Sequence, residues 1–162
     1  MTQQTKQSMN ARLEEIFFVH KDAIWEKNID RVKQAAQQIE LDRCAAKLFR
    51  ELRQFLDDSS QQLIAHGDDC RITNKDRGHD VDFFLKPART RPLLKPSQIT
   101  FRYMKAITRK VILVETRIHF LRNGHLDLRC KQLYLEINET ALEQAKEYFY
   151  KFVKDTLLAS VK

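Results

Sequence analysis

Six side chains able to ligate a divalent cation fall within seventeen positions: His66, Asp68, Asp69, His79, Asp80 and Asp82. Carboxylates and imidazoles are the donor types of a metal centre. Directly after them the sequence turns to a different chemistry. Residues 83–114 contain no Asp and no Glu, but eight Lys or Arg: Lys86, Arg89, Arg91, Lys95, Arg102, Lys105, Arg109 and Lys110. All three prolines of the chain and four aromatics, Phe83, Phe84, Phe101 and Tyr103, share that stretch. A run of one sign repels itself and settles beside something anionic. Guanidinium groups pair bidentately with phosphate oxygens, which makes the backbone of DNA or RNA the first candidate partner. Carboxylates are the second, supplied by an acidic protein partner or by the chain's own helices.

Gly67 followed by Asp80–Val81–Asp82–Phe83 resembles the nucleotidyltransferase pattern, in which a Gly-Ser turn precedes an Asp-x-Asp strand that binds metal. The resemblance covers residues 67–83, with Asp68 where that pattern has serine and a helix where it has a strand before the glycine. It implies metal-dependent nucleotide transfer, with Asp80 and Asp82 in one cleft and Glu115 as candidate third carboxylate. Read without the resemblance, the same residues are a helix C-cap, a polar loop and a strand edge. Three glycines in the whole chain exclude a P-loop and a dinucleotide fingerprint. Histidines and cysteines lack the local signatures of nucleophilic catalysis and the spacing of a zinc site. The expectation is a non-enzymatic binding protein without a cofactor.

The net charge of +7 is unevenly spread. Residues 1–70 carry ten Lys/Arg against twelve Asp/Glu, residues 71–138 carry fifteen against six, and residues 139–162 carry four against four. Basicity therefore belongs to the middle of the chain, a partner signal. The residues expected to meet the anion are Arg89, Arg91, Lys95, Arg102, Lys105, Arg109 and Lys110, with Lys86 and Arg122 at the margin. Phe101 and Tyr103 alternate with polar residues, so they are assigned to a core and not to base stacking. The polar N-terminus and the lack of any long apolar run point away from a membrane. Cys44, Cys70 and Cys130, without CxxC spacing, suit reduced thiols used as small buried hydrophobes in a cytoplasmic protein.

The 162 residues are enough for one domain. Residues 1–66 hold no glycine or proline and read as helix. Met9, Leu13, Ile16, Phe17, His20 and Ile24 mark one buried face, closed by Trp25, with a turn at Glu26–Asn28. Such a face could also serve a homodimer. A second stripe (Val32, Ala35, Ala36, Ile39) is out of phase with a third (Leu41, Cys44, Ala45, Leu48, Leu52, Phe55, Leu56), which predicts a kink near Glu40–Asp42 with Asp42 as a new cap. Gly67 predicts a left-handed C-cap. Strands are expected at 80–85, from 98, and at 111–121 and 126–137, the last two joined by an Asn123–Gly124 type I′ hairpin. Its register sets Ile118 against Arg129, which a bulge would repair. Thr140 and Glu143 form a capping box for a final helix. The expected architecture is α+β in a single domain over 1–162: a helical part (1–66), a basic β part with a three- to four-stranded antiparallel sheet (67–138), and a C-terminal helix packed on the sheet (139–162).

Overall fold

The computed structural model describes residues 3–73, 79–88, 94–105 and 110–161. The chain is α+β, in the order α1 (Gln3–His66), β1 (Asp69–Thr73), β2 (Asp80–Lys86), β3 (Ser97–Lys105), β4 (Lys110–Arg122), β5 (His125–Glu136) and α2 (Ala141–Val161). It divides into two compact units, Met1–Glu40 and Leu41–Lys162.

The first unit is helix. Its large apolar residues, the predicted buried face among them, are exposed: Phe17, Phe18, Ile24, Trp25 and Val32 are each between 47% and 69% accessible. The expected turn at Glu26–Asn28 does not occur, because nothing in a breaker-free sequence interrupts the hydrogen-bond ladder, and the residues at Glu40–Asp42 are helical as well. Among the described residues of this unit Ile29 alone is half-buried, and the first buried residue of the described helix is Ala45, within the third stripe.

In the second unit α1 contributes Ala45, Leu48, Phe49, Leu52 and Leu56, spaced three and four apart, to one core cluster. The helix ends as expected. Gly67 has φ +107°, its N–H donates to Ile64 O (2.9 Å), and the Asp68 N–H donates to Leu63 O (3.0 Å), the paired bonds of a Schellman motif.

The sheet is an antiparallel meander of five strands in the order β1-β2-β3-β4-β5. The fifth strand corrects the expected three or four. It is β1, read from sequence as polar loop, although Cys70 and Ile72 alternate with Asp69, Arg71 and Thr73. Asn123 and Gly124 both have positive φ (51° and 79°), as a type I′ turn requires. Pairing runs without interruption from Arg122↔His125 to Val111↔Glu136, so the expected bulge is absent. Arg129 tolerates its place opposite Ile118 because β5 is an edge strand and the guanidinium lies 5.4 Å from the Phe120 ring centroid.

Strand alternation sorts the side chains onto two faces. Val81, Phe83, Ile99, Phe101, Tyr103, Ile112 and Val114 form the covered face and share the core with α1 and α2. Phe149 of α2 sits edge-on to Phe83 (4.9 Å) and to Phe55 of α1 (5.4 Å). At the start of α2 the Asn138 carboxamide oxygen accepts from both the N–H and the hydroxyl of Thr140.

Candidate functional site

A meander reverses direction at every strand, so connections alternate between two ends of the sheet. The β2–β3 connection and the β4–β5 hairpin lie at one end, the β3–β4 connection at the other. The nine residues of β3 hold these ends roughly 25–30 Å apart. The acid-free stretch is thereby divided.

At the β3–β4 end the charges are answered. Lys105 and Lys110 stand on the covered face, and both turn toward Asp42 of α1, at 3.9 and 3.2 Å. The Tyr103 hydroxyl donates to the same carboxylate oxygen at 2.8 Å. That hydroxyl, then the two lysines, hold the Asp42 carboxyl below its usual range, while burial and the adjacent carboxylate push the Tyr103 phenol up. Asp42 is therefore no helix cap; it is a mid-helix acceptor for three donors of the sheet.

At the β2–β3 end Lys86 stands opposite Asp69 in register, and Lys95 is exposed. Neither has an ion-pair partner among the described residues. The one buried acid there, Asp68, is already occupied: one oxygen accepts the Ala88 N–H (3.0 Å) and the other meets His66 Nδ1 (2.9 Å). The chain before β3 is tied to β4, since Ser97 Oγ accepts the His119 N–H (3.1 Å) and His119 Nδ1 lies 3.1 Å from Pro96 O. Extending the β3–β4 register by those bonds sets Lys95 level with Phe120, next to the hairpin. Arg122 there lies over the Phe120 ring (5.8 Å) and 3.7 Å from Asp127. Lys86, Lys95 and Arg122 thus share one end. Arg89, Arg91 and Arg109 lie outside the described residues.

Arg102, the remaining expected contact, is on the open face and pairs with Asp80 at 3.3 Å. That face carries a row the sequence reading did not find: Thr73, Asp82, Thr100, Glu115 and Gln132, level across all five strands. Asp82 is buried and accepts from Thr100 and from Gln98 (3.1 Å). Glu115 accepts from Gln132 and from Arg117 (2.7 Å), and these bonds hold its carboxyl below the usual range. Only the register of all five strands reveals such a row.

Asp80, Asp82 and Glu115 share a face, yet each is engaged by its own donors. No group of three or more His, Cys, Asp or Glu able to hold a metal ion occurs among the described residues. Gly67 closes a helix, where the pattern has a turn after a strand. Phe101 and Tyr103 are buried, which leaves base stacking to others. The cysteines differ from the buried role expected of them. Cys44 and Cys130 are exposed, while half-burial, with Asp68 and Asp69 nearby, pushes the Cys70 thiol up to about 11. A thiol held protonated is a poor nucleophile. No helix among the described residues is long and apolar enough to cross a membrane. Compared with known proteins, the chain matches no family model, no curated protein and no solved structure.

Proposed function

We propose that this chain is a non-enzymatic binding protein that takes the phosphate backbone of a nucleic acid at the β2–β3 end of its sheet. Lys86, Lys95 and Arg122 are the contacts within the described residues. Arg89 and Arg91, which the sequence places in the same connection, add two guanidinium forks. One observation carries the reading: Lys86 and Lys95 meet no carboxylate among the described residues, whereas Asp42 answers Lys105 and Lys110 at the other end. A cation without an internal partner keeps its charge available to phosphate, and each contact releases counterions.

A salt titration of binding to DNA and RNA oligonucleotides tests this. Log affinity should fall linearly with log salt, by about 0.9 per phosphate contacted on duplex DNA. A flat profile, or no binding at low salt, would remove the proposal. An acidic protein partner for the same lysines is the competing reading. A pull-down from nuclease-treated lysate separates the two: one stoichiometric protein retained after nuclease favours the protein partner.

A further inference from the structure

The covered face of the sheet is not covered to its edge. α2 packs chiefly on β4 and only lightly on β5. On that face Val114, Thr116 and Ile118 of β4 stand opposite Leu133, Lys131 and Arg129 of β5. α2 turns Tyr148, Lys151, Asp155 and Leu158 toward the same margin, spaced three and four apart along one stripe. Two hollows lie between the helix and the hairpin, of about 160 and 140 Å³. Ile118 and Asp155 line both, so the hollows are halves of one groove.

The halves differ in chemistry. Phe120, Leu121, Leu158 and Ala159 line the first, where Arg129 and Asp155 balance one another in charge. Leu133 and Phe152 floor the second, where Lys131 and Lys151 stand against that same Asp155. Both lysines are exposed, and neither they nor Arg129 has an ion pair or hydrogen bond among the described residues. Long cationic side chains lay their methylenes along apolar surface and keep the charge at the rim. The excess positive charge therefore lies at one end of the groove and the apolar wall at the other. A bare phosphate would use the lysines and leave that wall in water, whereas an uncharged hydrocarbon would do the reverse. The size sets a limit as well, since sites for drug-sized ligands begin at about 300 Å³. We infer that the groove binds a medium-chain carboxylate. Its head lies between Lys131 and Lys151, and its chain crosses Ile118 toward Phe120 and Leu158. The inference does not rest on the nucleic-acid reading.

Calorimetric titration of the full chain with octanoate tests this. Octanoate should bind at least about tenfold more tightly than octanol, which lacks the charge, and than acetate, which lacks the chain. Lys131→Met with Lys151→Met keeps the apolar stems and should bring octanoate down to the level of octanol. Both positions are exposed, so the melting temperature should stay in place. Asp155→Asn removes the like charge and should tighten octanoate several-fold, a gain that loss of structure would not produce. Lys154→Met, on the same helix outside the groove, should leave octanoate binding as it is. No binding of octanoate at millimolar concentration overturns the inference. So does acetate binding as tightly as octanoate, which would mean an anion site without an apolar one. Undiminished binding by the double lysine variant would place the ligand elsewhere. Displacement of octanoate by a DNA oligonucleotide would also overturn it, since the two lysines would then belong to the nucleic-acid surface.

Discussion

Lys105 and Lys110 end β3 and begin β4, and Asp42 reaches both; Lys86 and Lys95, at the other end of the same sheet, meet no such acceptor among the described residues. An acid is present at each end. Asp42 has its carboxylate open to side-chain donors, whereas both oxygens of Asp68 are taken by His66 and the Ala88 N–H. The presence of a carboxylate therefore does not decide whether a lysine is neutralised. Asp69, opposite Lys86 in register, makes no ion pair with it either, so side-chain geometry decides together with the engagement of lone pairs.

The sharpest way to break this contrast is Asp42→Ala. It removes the carboxylate that the Tyr103 hydroxyl and the largely buried Lys110 ammonium both approach, and should destabilise the fold by about 2 kcal/mol, read from urea denaturation. It also takes a negative charge from beside two lysines, so binding to nucleic acid at low salt should tighten. Weaker binding instead would mean that Lys105 and Lys110 were positioned by Asp42 for the ligand.

Next in size, Lys86→Ala with Lys95→Ala should weaken nucleic-acid binding at least about tenfold, roughly 1.4 kcal/mol. The salt slope should drop by about two. Arg89→Ala with Arg91→Ala is expected to match that loss while leaving the melting temperature nearly unchanged, as ligand contacts that the fold does not need would. Unfolding of the arginine pair would make those residues structural and not ligand contacts.

The effect of pH should be smaller. The Asp42 carboxyl is depressed in the fold, chiefly by the Tyr103 hydroxyl. Its contribution is fully present above the ordinary aspartate value of about 4 and is lost as pH falls through the lower folded value. Urea midpoints between pH 5 and pH 2 should therefore fall more steeply for the native chain than for Asp42→Asn. The smallest effect is expected of Lys105→Ala. Its 3.9 Å pair is half exposed, so stability should change by less than about 0.5 kcal/mol and affinity by less than about twofold.

Much of the fold was legible where a local rule acts alone. Asn123–Gly124 fixed a turn because both positions need positive φ, and Gly67 marked a C-cap for the same reason. The far register of the hairpin followed the turn, even through the Ile118–Arg129 mismatch that suggested a bulge. β1 was hidden because Asp68 and Asp69 read as turn residues, although Cys70 and Ile72 already alternated. The basic stretch was visible as composition, but its division was not. Which lysine faces Asp42 depends on a helix sixty residues away, and no periodicity within residues 83–114 encodes it. The same holds for the Asp82–Glu115 row, whose members come from separate strands.

β5 is twelve residues long and pairs on one side only, with β4. Its outer row of N–H and C=O groups is a template on which another extended chain could grow. Arg129 and Lys131 occupy the same face as Leu133 and Leu135, where a continuing core would call for apolar residues. An added strand would have to bury its own side chains against two cations. These misfits in the hydrophobic pattern act as guards against fibrous growth along the sheet, and replacing both with valine would improve the alternation while exposing the chain to aggregation.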